Sequence, residues 1–282
     1  MIYISTGGFY DLTAKEAVAY LNQEDIHFIE LSGGRYDNSF LQWITQYGIC
    51  RNNFAIHNYF PPPKVPFVLN IASLDSNIIE RSMHHIKGSI ELASRIGSDY
   101  YSIHAGYLVD PKVDELGKRI KERIINRRDH AMDVFLSNLK YLSDFACSAG
   151  VKLLVENNVI SEGNFNAFGM DPLLMTHPEE CRYVWENTPD NIALLVDVGH
   201  LNVSANTLGF DRVKALDNLK RMTQGYHLSE NNGKEDENLS VSQDSWFWSA
   251  LDKGVDYISI EVYNQNAKSL RSQLGLVREL MS

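Results

Sequence analysis

The chain has 282 residues, a formal net charge of −10, 44% hydrophobic and 22% charged residues. At about 150 residues per domain this length could divide in two, but α/β barrels of about 250 residues fold as one unit, and the composition is that of a globular protein whose core needs no staples. The acidic balance gives a nucleic-acid backbone no electrostatic help, and Cys50, Cys147 and Cys181 form no CxxC pair or zinc-finger spacing. No apolar run reaches the ~18 residues of a membrane helix.

Short apolar runs alternate with amphipathic segments along the whole chain. Residues 2–5 (IYIS) predict a first strand, and 13–21 a helix in which Thr13 and Glu16 have capping-box spacing. A strand at 27–31 precedes a short helix at 39–47. Strand 54–57 runs toward Pro61-Pro62-Pro63, which enforces an extended loop. Ile79, Met83, Ile86, Ile90 and Ala93 keep steps of three and four, the mark of an amphipathic helix that Gly97 ends. Strand 100–104 and a helix over 129–148, stopped by Gly150, come next. Strand 151–156 is followed by a helix at 178–187 with Pro178 in its first turn. Strand 192–197, helix 211–222, strand 225–228, helix 244–253, strand 257–262 and helix 267–280 complete the chain.

That alternation predicts an α/β fold with eight parallel strands, because continuous apolar runs are buried on both faces. The eight-fold repeat points to a single (β/α)₈ TIM barrel spanning 1–282, with an open doubly wound sheet as the competing architecture. Two stretches break the rhythm and are expected as long loops over the top face. Residues 107–128 carry Lys118, Arg119, Lys121, Arg123, Arg127 and Arg128, read as a solvated helix or as a lid or subunit contact. Residues 158–175 are rich in Asn, Gly and Phe.

In such a barrel the residues at the C-terminal strand ends carry the chemistry. In order these are Glu30, His57, His104, Glu156, Asp197, His227 and Glu261, with His200 three residues past Asp197. One strand-end Glu or His alone can cap a helix or meet an arginine. Seven converge on one mouth, and buried carboxylates crowded together repel unless a cation joins them. An oxygen-rich set with imidazole suits one divalent ion, Mn²⁺, Mg²⁺ or Zn²⁺. Tyr59, Phe60, Tyr107, Phe165, Phe168, Trp246 and Trp248 fall in loops or element starts, where aromatic rings either stack on a sugar or simply pack. No GxGxxG or GxxxxGK[ST] run signals a nucleotide cofactor.

These motifs together resemble the xylose isomerase-like TIM-barrel superfamily, which includes sugar epimerases such as D-tagatose 3-epimerase, sugar-phosphate isomerases and endonuclease IV. The carriers are His57 in AIHNYF, His104 in SIHAG, Glu156 in LLVENN, Asp197 and His200 in LLVDVGHLNVSA, His227 in YHLSENNGKEDEN and Glu261 in ISIEVY. The resemblance implies that Glu156, Asp197, His227 and Glu261 bind the metal and that Glu156 and Glu261 double as the acid–base pair. It also implies that His200 contacts substrate or metal and that Glu30 contacts substrate hydroxyls. His57 and His104 match histidines that serve the extra metals of endonuclease IV-like proteins, and are expected here either to hydrogen-bond substrate or to be structural. Endonuclease IV-like proteins need an Asp-x-His pattern after the seventh strand; here Asp236-Glu237-Asn238 puts Asn238 where the histidine would stand.

The expected activity is therefore isomerisation or epimerisation of a sugar or sugar phosphate, by proton transfer through an enediolate. One glutamate takes the proton beside the carbonyl and the other returns it. The alternatives are an endonuclease IV-like phosphodiesterase acting on abasic DNA, and a dehydratase or lyase acting on a related polyol. The expected partners are a small carbohydrate and, by the resemblance, other copies of the chain in a homo-oligomer; nucleic acid and membrane are not expected. The N-terminus MIYISTGGFY lacks a basic region followed by a long apolar run, so the expected location is cytoplasmic.

Overall fold

Each apolar run becomes a strand. The computed structural model describes residues 1–46, 48–115 and 117–282. Its strands are Ile2–Ser5 (β1), Phe28–Leu31 (β2), Asn53–His57 (β3), Tyr100–His104 (β4), Lys152–Glu156 (β5), Ile192–Asp197 (β6), Thr223–Leu228 (β7) and Tyr257–Ile260 (β8). All neighbours are parallel, and β8 pairs with β1 through Tyr3 opposite Ser259, so the sheet closes into a TIM barrel and is not an open one.

The helices are Ala14–Asn22 (α1), Phe40–Gln46 (α2), Ser76–Ile96 (α3), Arg128–Ser148 (α4), Glu162–Phe168 (α5), Pro178–Glu186 (α6), Val198–Leu208 (α7), Arg212–Leu219 (α8) and Ala267–Met281 (α9). The helix expected at 39–47 corresponds to α2; Tyr47 lies outside the described residues, as does residue 116 of the 107–128 stretch. The Thr13–Glu16 capping box forms, with the Thr13 N–H donating to Glu16 Oε2 at 2.7 Å. Gly97 ends α3 with φ of 73°, a left-handed value that a residue without Cβ adopts freely.

Four expectations change. No helix forms at 244–253: Ser245, Trp248 and Ala250 each close a turn on the residue three back, and Trp248 Nε1 donates to the Ser242 carbonyl at 2.7 Å. That chain of turns drops Phe247, Ala250 and Leu251 into the core, so tertiary packing overrides the helical pattern. The 107–128 stretch is a loop with one 3₁₀ turn at Val113–Glu115 before α4 begins, not a solvated helix. Its cations partly serve to tie it down: Arg123 pairs with Glu115 and donates to the Asp110 carbonyl at 2.7 Å. The loop at 158–175 contains α5, begun by Ser161 as N-cap and ended by Gly169. Finally, α7 starts directly at the end of β6 with Asp197 as its N-cap, and all its residues from Val198 to Ala205 are buried.

Side chains alternate along each strand, which sorts them into two sets. Ile29, Ile56, Ile103, Leu153, Val155, Leu194, Val196 and Ile260 belong to the large core between sheet and helices. Tyr3, Ala55, Leu154, Ala193, Leu195 and Tyr257 form a separate small cluster that fills the barrel interior. The residues one alternation further on include His57, Glu156, Asp197 and Ser259, and Glu261 follows two after Ser259. Gly225 is part of this arrangement, since a Cβ there would lie 2.6 Å from Cδ1 of Tyr257. Among the described residues no helix is long and apolar enough to cross a membrane.

Candidate metal centre

The ends of β5, β6 and β7 and the residue just after β8 place one side chain each at a common point. His227, from β7, has its Nδ1 2.8 Å from Glu261 Oε2, 3.1 Å from Glu156 Oε1 and 3.8 Å from Asp197 Oδ2. All four residues are buried, and the four candidate ligand atoms lie within 4.8 Å of one another. Glu156 Oε1 and Oε2, Asp197 Oδ2 and His227 Nδ1 have no hydrogen-bond partner. Buried charges in that condition cost several kcal/mol each, roughly, unless paired or coordinated. The donor set therefore fits a divalent cation: three hard carboxylates and one imidazole, their free atoms turned toward each other.

The protein holds the other end of these groups. His227 Nε2 donates to Glu30 Oε2 at 2.8 Å, and Glu30 also accepts from the Tyr257 hydroxyl. That bond leaves Nδ1 facing the carboxylates, the carboxylate–histidine arrangement that orients metal ligands. Asp197 divides its oxygens: Oδ1 accepts the His200 N–H at 2.7 Å as the cap of α7, and Oδ2 stays free. Its backbone is pinned by Asn157, whose Oδ1 accepts the Asp197 N–H at 2.8 Å.

The electrostatics agree. Burial favours the neutral imidazole of His227, but Glu30, Glu156 and Glu261 outweigh it and hold its pKa well above the ordinary value. Burial would raise Glu261, yet His227 brings it down to about 2. The carboxylates thus favour a proton on His227, and a cation bound at Nδ1 would take that proton's place. Asp197 goes the other way, pushed up to about 7 by burial, with Glu156 and Asp236 adding to the rise.

A family model for the xylose isomerase-like TIM barrel matches residues 17–280. The chain belongs to this family. Among relatives, an uncharacterised protein of Methanocaldococcus jannaschii is 24% identical over 218 residues, covering 76% of this chain and 67% of its own. The fold of a D-tagatose 3-epimerase-like protein superposes with a TM-score of 0.71 at 20% identity, over 100% of this chain and 99% of that one. A Thermus thermophilus protein soaked with zinc chloride superposes with a TM-score of 0.64 at 18% identity, over 99% and 98% of the two chains.

The remaining strand-end residues of this xylose isomerase-like barrel fall into two groups. His104 and His200 line a cavity of about 470 Å³ above the cluster, with Tyr107, Asn158, Asp236 and Glu261. His200 is anchored by Nδ1, 2.8 Å from the Asn157 carbonyl, and its Nε2 lies 3.3 Å from Asp236 Oδ2. His57 and Glu30 are not on the cavity wall. Glu30 is fully buried behind His227, so the hydroxyl contacts expected of it have no direct path. His57 is held by Ser102 at 2.9 Å, and its Nε2 lies 3.4 Å from Glu156 Oε2. His104 Nε2 is 3.5 Å from the same oxygen, so His57, His104 and Glu156 form a further group with metal-ligand geometry. Burial lowers the His104 pKa to about 4 against the pull of Glu156, which keeps the ring neutral.

Of the loop aromatics, Tyr107 faces the cavity, whereas Phe60 is in the core and Phe165 and Phe168 pack beside Val109 and Ile120. Asn238 turns its amide to Asp236 Oδ2 at 3.2 Å. Sequence reasoning missed Ser102, Asn157, Tyr257 and Tyr263. Ser102 and Tyr257 carried a usable signal: counting back in steps of two, one step from His104 and two steps from Glu261, marks the interior side of β4 and β8.

Proposed function

We propose that this protein is a sugar isomerase or epimerase that depends on one divalent metal ion, held by Glu156, Asp197, His227 and Glu261. The observation that carries the reading is the set of unpartnered buried ligand atoms on Glu156, Asp197 and His227, gathered with Glu261 beneath a cavity of about 470 Å³. The family supports it, as does the likeness to a protein whose name refers to D-tagatose 3-epimerase. Zinc is one candidate ion, in keeping with the zinc-soaked relative; manganese and magnesium suit the oxygen-rich set equally.

A bound cation supplies Lewis-acid chemistry, polarising the substrate carbonyl so that the neighbouring C–H becomes acidic. Glu261 reaches the cavity and takes that proton, leaving an enediolate. Glu156, beneath the cavity and 3.5 Å from the cavity-lining His104, is the second carboxylate and would return a proton, to the opposite face for epimerisation or to the next carbon for isomerisation. His104, His200 and Asn158 line the cavity as hydrogen-bonding groups suited to sugar hydroxyls. The neutral His104 can donate or accept, as alternating hydroxyls demand.

The test has two parts. Elemental analysis of the purified chain should return about one divalent ion per protomer. Ketoses incubated in deuterated water should gain deuterium at the carbon beside the carbonyl, and Glu156→Gln should lose most of the conversion of substrate to product. Full conversion by the variant would sink the assignment of Glu156. The His57–His104–Glu156 group gives the phosphodiesterase alternative a definite signature: more than one ion per chain together with cleavage of abasic DNA. Dehydration of keto-acids or inosose-type compounds, without exchange into ketoses, would favour the lyase reading.

A further inference from the structure

Three of the four ligand residues are steadied by an identified partner or lie walled in by histidines. His227 has Glu30, Asp197 has the N–H of His200, and Glu156 is enclosed by His57, His104 and His227. Glu261 differs. It sits one residue beyond the end of β8, and of the four it alone, among the described residues, lines the cavity. A carboxylate there would swing toward solvent unless something held it.

The Tyr263 hydroxyl donates to Glu261 Oε1 at 2.7 Å, while Oε2 faces His227 Nδ1 at 2.8 Å. Tyr263 is itself fixed on two sides. Its N–H donates to the Asn238 carbonyl at 2.9 Å, and its ring lies against the loop after β1. A Cβ on Gly7 would come within 2.6 Å of the Tyr263 hydroxyl and 3.0 Å of Glu261 Oε1; one on Gly8 would meet the ring at 3.0 Å. Neither glycine has a positive φ, so close approach, and not backbone conformation, is what these positions require.

We infer that Tyr263, seated on Gly7 and Gly8, is the positioning residue for Glu261: it holds one oxygen by hydrogen bond so that the other keeps its place toward His227 and the cavity. This rests on the reading of Glu261 as ligand and base. A carboxylate already bonded at Oε1 is fixed in rotation, which is what both a metal ligand and a proton acceptor need. Partners of this kind are worth about 10–100-fold in metal affinity or activity.

The experiment compares wild type with Tyr263→Phe, which keeps the ring and removes only the hydroxyl, and with Gly7→Ala, which keeps the hydroxyl and crowds it. Mn²⁺ is titrated into each metal-free protein, circular dichroism confirms folding, and kcat and KM for deuterium exchange into a ketose are measured where wild type is active. Both variants should bind Mn²⁺ about 10–100-fold more weakly, or show a kcat lower by that factor with KM within about twofold. Wild-type affinity together with wild-type exchange in folded Tyr263→Phe overturns the inference. If wild type exchanges no ketose, the proposed activity fails by itself, and the Mn²⁺ titration still decides for or against Tyr263. Should Tyr263→Phe not fold, Gly7→Ala decides instead, and wild-type affinity and exchange in that variant overturn the inference.

Discussion

The lower interior of the barrel, made by Tyr3, Ala55, Leu154, Leu195 and Tyr257, and the upper interior, made by His57, Glu156, Asp197 and His227 above Glu30, come from the same strands. They lie about one alternation apart, and both are buried. The lower level stabilises the fold, since each large apolar side chain removed from water contributes about 1.5–3 kcal/mol. The upper level contributes less, because its carboxylates give up water and keep several oxygens without a hydrogen-bond partner, leaving His227 as their counter-charge. The difference teaches that burial alone does not identify a structural residue: a strand that changes from Leu to Glu or Asp in two steps changes from apolar filling to a candidate metal ligand.

The comparison can be broken most directly at Glu261. Glu261→Gln should slow exchange of substrate hydrogen with solvent by about 10²–10⁴-fold, an effect far larger than any change it makes in the unfolding of the metal-free protein. A variant that loses stability without losing exchange would reverse the division of labour. At the lower level, Leu154→Ala should cost about 2–5 kcal/mol in denaturant unfolding and leave the number of ions per protomer unchanged. Chelation should lower the melting temperature. An ion present at about 100 times its Kd contributes about 2.7 kcal/mol, roughly 5–10 °C for a chain of this size, and re-addition should restore it. The smallest effect is expected at Glu30→Gln, which keeps the shape but weakens the bond that orients His227. Metal affinity measured by titration should fall about 10-fold, and an unchanged affinity would detach Glu30 from the metal centre.

Much of this arrangement was legible in the chain. LLVENN, LLVDVGH and ISIEVY each end an apolar run in an acid, and a run buried on both faces that ends so must place the acid at the barrel mouth. Capping signals were equally readable at Thr13 and Gly97. Asp197 shows where such reading stops. The same residue caps α7 with one oxygen and offers the other to the cluster, and its place in the ligand set masks the helix it starts. The reverse holds at 244–253, where a helical pattern yields to the burial of Phe247 and Leu251 through successive turns.

The sequence by itself determined the alternation of strands and helices and the roster of polar residues at strand ends, because these follow from apolar periodicity over a few residues at a time; the pairing of β8 with β1 is what decided that the sheet is closed. Only the tertiary structure decided which of those residues face the cavity and which stand behind them. Glu30 lies behind His227, His57 beside Glu156 and Tyr263 against Gly7, pairs far apart in the chain or set by the path of a loop. Such contacts depend on how eight tilted strands are staggered around the barrel, and no local pattern encodes that stagger.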